Sequence, residues 1–158
     1  MKRLCFRLKN EKGNFDFISG YMILFALVLF TVMFGEYFRL IGLRDEVDMI
    51  LQRGINIAVE TAMRDEERWD ANSRMNTTLA DLTLNNYLHN EIGLDSQYRR
   101  WSADAKMVYQ IVFSSRSSLG DPPRLNVQGQ ILLRPAFPLF PNDIVWAFDI
   151  SSRNLRLD

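Results

Sequence analysis

The sequence predicts an α+β fold: a long N-terminal helix that enters a membrane and continues beyond it, a second short helix, and a small antiparallel sheet. Three observations carry this. The run from Phe17 to Gly35 holds no charged residue. Beyond it, apolar residues recur at alternating spacings of three and four through Thr61, as on one face of a helix. After Tyr98 the pattern changes to the two-residue alternation of strands, broken by turn residues.

The first element is a basic leader, residues 1–14. Lys2, Arg3, Arg7, Lys9 and Lys12 stand there against Glu11 alone, although the whole chain balances 19 basic against 19 acidic residues. The 158 residues leave room for one modest domain once a membrane segment is set aside. The single cysteine, Cys5, excludes an intrachain disulfide and Cys-x-x-Cys patterns. Cys5 is either a free thiol or an acylation site close to a membrane surface.

Residues 15–35 form the second element, a transmembrane helix. The Leu, Ile, Val and Phe positions from Phe17 to Phe34 contribute about −3 to −7 kcal/mol to insertion. Asp16 would cost about 2.5–3.5 kcal/mol at the bilayer centre and less at the edge, where it stands. A buried core helix is the alternative, but it would seldom be apolar all round for this length in so small a protein. A cleavable secretory signal should have a shorter apolar region ending in a small-x-small site, whereas this run ends in "MFGEYFRL". The basic leader sets a cytoplasmic N-terminus, with residues from about Glu36 onward outside.

Residues 36–70 read as an amphipathic continuation of the same helix, with Leu40, Leu43, Val47, Ile50, Gly54, Ile57 and Thr61 on its apolar face. Ile41, Leu51, Ile55, Ala58 and Ala62 widen that face. One helix from about Phe15 to Trp69 follows, since no proline precedes Pro122.

The remainder, 71–158, is a small extracytoplasmic α+β domain. A second helix is expected from near Thr78, with Asp81 as a capping-box residue, to Gly93. Then "AKMVYQIVF" reads as a strand, "SSRSSLGDPP" as a loop, "RLNVQGQILL" as a strand, and "IVWAFDI" and "NLRL" as one or two more. Trp101, Tyr109, Phe113, Trp146 and Phe148 are expected to furnish the core, with a solvent-facing tryptophan used in partner contact as the alternative.

A catalytic constellation does not emerge. His89 is the only histidine and is expected on the surface of the second helix, across the membrane from Cys5. No Cys/His pair or multi-histidine site can therefore be assembled from one chain. Asp65, Glu66, Glu67 and Asp70 read as a solvated helix end rather than a cation site. Gly120, beside Asp121 and two prolines, is turn chemistry, and "NTT" at Asn76 is a chance-prone glycosylation sequon. The arginines of the outer region are scattered among acidic neighbours, so no basic stripe for nucleic acid stands out. The expectation is a non-enzyme without cofactor or metal.

A basic leader ending in "KG", an apolar helix with an acidic residue near its start, an amphipathic continuation and a small outer sheet resemble type IV prepilin-like proteins. The likeness is nearer to TadE-like minor pseudopilins of tight-adherence (Flp-type) pilus systems. The carrying residues are "KGNFDFISGYMILFALVLFTVMFGEYFRL" and "DMILQRGINIAVETAM". The resemblance implies a prepilin peptidase cutting between Gly13 and Asn14, and an acidic residue near the new N-terminus that aligns subunits. Cleavage there makes Asp16 the third mature residue, whereas the family's glutamate stands at about the fifth or sixth, where this chain has Ile18 and Ser19. Asp16 is the candidate substitute, and capping of the helix's first turn is its alternative role.

The resemblance further implies other pilin-like subunits and an assembly platform as partners. The expected function is that of a membrane-anchored, pilin-like subunit of an envelope pilus or secretion assembly. The alternative is a solitary single-pass protein whose outer domain binds a ligand or regulates a partner.

Overall fold

The computed structural model describes residues 2–63, 74–137 and 143–152, with side chains described from Phe17 onward. The architecture is α+β, as the sequence predicts. Two compact units divide the chain, Met1–Arg39 and Leu40–Asp158. One helix, α1 (Lys2–Ala62), enters both. It begins earlier than the predicted Phe15, because half of the leader is Lys, Arg and Leu, which are good helix formers, and it holds no proline. Its predicted end at Trp69 lies outside the described residues. Around Ala62 the orphan carbonyls of a helix end find partners: the Asn76 N–H donates to the Ala62 carbonyl at 3.1 Å, and Met63 forms a bridge with Met75.

The second helix, α2 (Thr77–Asn86), starts from Asn76 rather than from Thr78. The Asn76 side-chain oxygen accepts the Leu79 N–H at 3.2 Å, the bond that makes asparagine a preferred N-cap. The sequon residue is thus a cap, and Asp81 makes no capping box: its Oδ1 is buried without a hydrogen-bond partner. A π-helical turn, Tyr87–Glu91, follows directly; beyond its C-cap, Ile92, stands Gly93, whose φ of 74° suits a residue without Cβ.

Four strands make one antiparallel sheet in the order β1 (Arg99–Trp101), β2 (Met107–Leu119), β3 (Arg124–Leu133) and β4 (Ile144–Ser151). β3 coincides with the alternating segment read from the sequence. β2 does not stop at Phe113. Its supposed loop pairs with β3 as far as Leu119 opposite Arg124, so pairing overrides the weak strand preference of the serines. A bulge between Phe113 and Ser115 shifts the register there. β1, which the sequence reading missed, pairs only with Met107 to Gln110. The "NLRL" segment lies outside the described residues.

In the Leu40–Asp158 unit, α1 contributes Leu40, Val47, Leu51, Ile55, Ala58, Val59 and Ala62 to the core. α2 and the π turn add Ala80, Leu84, Tyr87 and Leu88, and the sheet adds Tyr109, Ile111, Leu125, Val127, Ile131, Leu133 and Phe148. The buried face of α1 is rotated from the predicted one. Leu51, Ile55, Ala58 and Ala62, expected at its margin, are buried, while Leu43, Ile50 and Ile57 are half-buried and Thr61 is exposed. Gly54 lets the Tyr87 ring approach the helix: a Cβ there would lie 2.7 Å from Tyr87 Cδ1.

Candidate functional site

In the Met1–Arg39 unit most of the described apolar side chains, from Phe17 to Phe38, are presented outward. Phe17 is 68 % exposed, Leu24 63 % and Phe30 61 %. A contiguous apolar surface of this kind marks an interaction site rather than ordinary protein surface. The helix is long and apolar enough to cross a membrane once. Thr31 and Glu36 bond within the helix. The Thr31 hydroxyl donates to the Leu27 carbonyl at 2.9 Å. Glu36, the one buried charged residue among the described residues, accepts two guanidinium N–H bonds from Arg39, at 3.0 and 2.7 Å. That fork lowers the cost of a carboxylate at the end of an apolar segment. The sequence signals it only by the i,i+3 spacing of the two residues.

Gly13, Asn14 and Asp16 lie on the backbone of α1, ahead of this apolar surface. Their side chains are outside the described residues, so the structure assigns no contact to the Asp16 carboxylate.

A different surface lies along β2. His89, in the π turn, is half-buried rather than on the surface; its Nδ1 lies 3.0 Å from the Leu94 carbonyl and its ring stacks on Tyr98 at 5.0 Å. The Tyr98 hydroxyl donates to Asn85 Oδ1 at 2.9 Å, and Arg116 Nη1 donates to the same oxygen at 2.8 Å. The Arg116 guanidinium sits 4.0 Å above the centre of the Phe113 ring and 5.3 Å from that of Tyr98. The bulge makes this possible, because it restores Arg116 to the face that Phe113 occupies.

Beside this cluster a groove of about 640 Å³ is lined by Ser96, Gln97, Tyr98 and β2 from Gln110 to Arg116. Among the described residues of that lining, Arg116 alone is charged. The Ile111 N–H donates to the Tyr98 carbonyl at 3.0 Å; beyond it, no strand among the described residues pairs with the outer edge of β2.

The other edge of the sheet carries a second groove, of about 480 Å³, between α1 and β4. Arg44, Asp45, Asp48, Met49 and Gln52 line one wall and Ala147 to Ile150 the other. Arg44 is 3.7 Å from the Asp48 carboxylate and stacks over Trp146 at 5.5 Å. Burial nevertheless pushes the Asp48 carboxyl above its usual range; Arg44 opposes the shift and the negative charge of Asp45 adds to it. Gln52 Nε2 donates to the Ser151 carbonyl at 3.2 Å, and Gln128 Nε2 donates to Asp149 Oδ2 at 3.0 Å.

Asp95 organises the start of β1. Its carboxylate accepts the Trp101 indole N–H at 2.9 Å, the Arg99 guanidinium at 2.8 Å and the backbone N–H groups of Arg99 and Gln97. These donors, the indole foremost, hold its carboxyl well below the usual carboxylate range against an opposing effect of burial. Trp101, expected in the core, is 45 % exposed and lies under the Arg99 guanidinium. Tyr109 and Phe148 are buried as predicted, whereas Phe113 and Trp146 are half-buried.

Asp65, Glu66, Glu67 and Asp70 lie outside the described residues. Among those described, no three His, Cys, Asp or Glu side chains converge to hold a metal ion. Sequence reasoning missed Arg116, because it stood in a supposed loop. It also missed the juxtaposition of Asp45 and Asp48 with β4, which no local pattern reveals.

Comparison with protein-family models, curated proteins and solved structures finds no match to this chain.

Proposed function

We propose that this protein is a non-enzymatic, membrane-anchored structural subunit of pilin-like, TadE-like organisation, which works in an envelope pilus or secretion assembly through helix packing and protein contacts. One observation carries the reading: a single helix element presents an apolar surface from Phe17 to Phe38 and supplies core residues of an α+β domain from Leu40 to Ala62. A solvent-borne helix would not leave such a surface uncovered, whereas lipid and neighbouring helices suit it. The excess of basic residues before Phe15 supports a cytoplasmic N-terminus, with the domain on the other side of the membrane. The junction Gly13–Asn14 is the proposed processing site, and Asp16 the carboxylate that pairs with the free amino terminus of a cleaved neighbour.

Co-expression with a prepilin peptidase tests the reading by intact-mass measurement and by crosslinking through the apolar helix. The expected result is loss of the mass of residues 1–13 together with crosslinked multimers. A chain that keeps Met1 and stays monomeric at every membrane density would remove it.

A further inference from the structure

We propose that the two sheet edges of neighbouring copies dock head to tail, the Arg116 groove of one copy receiving β4 and the Asp45 side of α1 of the next. The inference rests on the assembly reading above and names the surface through which the domains meet.

An open strand edge presents unpaired backbone groups and is a template for another chain. Among the described residues this sheet has two such edges, the outer side of β2 past Ile111 and the outer side of β4, and each is bordered by a groove. The grooves carry opposite charge. Among the described residues Arg116 is the only charge at the first, and no carboxylate pairs with it. At the second, Asp45 and Asp48 outnumber Arg44, which already leans on Asp48 and Trp146. A cation delivered from a neighbour would meet carboxylates that their own surroundings leave undercompensated. Met49, 70 % exposed in the same groove and outside the membrane segment, offers apolar contact at the centre of that interface.

Bulges and charged residues also guard edges against pairing. Two features favour reception over guarding. The Arg116 guanidinium is held in place at the groove by its contacts with Phe113 and Asn85, and the complementary surface is present on the same chain. Because the two surfaces differ, the contact is heterologous and propagates instead of closing as a two-fold dimer.

The test uses the full chain, reconstituted in detergent micelles for sedimentation equilibrium, with Arg116→Glu and Asp45→Arg made separately. Each reversal is expected to weaken self-association by about tenfold. An equimolar mixture of the two variants should restore it to near the wild-type value, because every contact in an alternating array then joins opposite charges. Should Arg116→Glu fail to fold, as judged by its melting profile, Asp45→Arg still tests the proposal, since Asp45 is exposed on a helix. A third measurement, crosslinking through Ala26→Cys in the Cys5→Ser background, reports association by the membrane segment alone. Crosslinking through Ala26→Cys together with self-association that neither reversal changes would overturn edge docking and leave the assembly reading standing. A monomer by both measurements would overturn both, and β2 would then be an edge guarded by its bulge and arginine.

Discussion

Replacing Gly54 by Ala sets two effects of known sign against each other. In a helix interior, alanine is favoured over glycine by roughly 0.5–1 kcal/mol. Here, however, the new Cβ would stand 2.7 and 3.0 Å from two atoms of the Tyr87 ring and 3.1 Å from Leu84 Cδ1. Tyr87 and Leu84 are buried, so the ring has little room to retreat. Overpacking of this kind costs about 1–3 kcal/mol, which leaves a net loss of about 1 kcal/mol. For a domain of this size that corresponds to a fall in Tm of about 3–6 °C. Thermal unfolding followed by circular dichroism in detergent measures it. The second half of the cycle is decisive: in a Tyr87→Ala background, Gly54→Ala should become neutral or stabilising, since the two closest contacts are gone and the Leu84 methyl group at 3.1 Å can shift into the space the ring leaves. A Tm that rises in the wild-type background, or a loss that persists without the ring, would refute the close-approach argument.

Other expectations follow from the same structure. The Asp95 carboxyl is depressed in the folded state, so its contribution is complete above the ordinary carboxylate pKa of about 3.9 and is lost as pH falls toward the lower folded value. Asp95→Asn should reproduce the acid effect at neutral pH, with faster hydrogen exchange at Arg99 to Trp101 and unchanged protection in β3; equal loss in both strands would contradict a local role. Burial raises Tyr109 to about 12 from 10.0, with Glu46 adding to the shift and Arg100 opposing it. The unfolded chain therefore loses that proton first, and stability should fall as pH rises from 10 to 12, a fall that urea titrations should find smaller in Tyr109→Phe. In the apolar segment, Leu24→Arg with Leu27→Arg introduces roughly 5–7 kcal/mol of insertion cost against about 3–7 kcal/mol in favour. The doubly substituted chain should leave the membrane on alkaline extraction while Leu27→Arg alone stays; retention of both would argue against a spanning helix.

Legibility divides along physical lines. The apolar segment, β3 and the existence of α2 were readable because each rests on a periodicity carried by consecutive residues. The start of α2 was misplaced by the rival signal of Thr78 and Asp81. Asn76 accepts the Leu79 N–H, and its own backbone N–H is met by the carbonyl of Ala62, a residue remote in sequence. The second half of β2 was unreadable for a similar reason: a segment of serines and one arginine has no strand signature, and only pairing with β3 makes it one. Arg116 was invisible with it, since the bulge that turns it onto Phe113 is a feature of the pairing.

The sequence by itself determined that residues 17–35 prefer an apolar medium, that a helix continues beyond them, and that strands follow a second helix, because hydropathy and periodicity are properties of the covalent chain. Two overlapping apolar stripes on α1 were compatible with that pattern, and the tertiary structure chose the one through Val47, Leu51, Ile55, Ala58 and Ala62. The choice depended on shape: Gly54 opens a place for the Tyr87 ring, and the sheet meets the helix along that line. Likewise, only folding set a lone arginine at one sheet edge and a group of aspartates at the other, since charge and edge come from segments far apart in the chain.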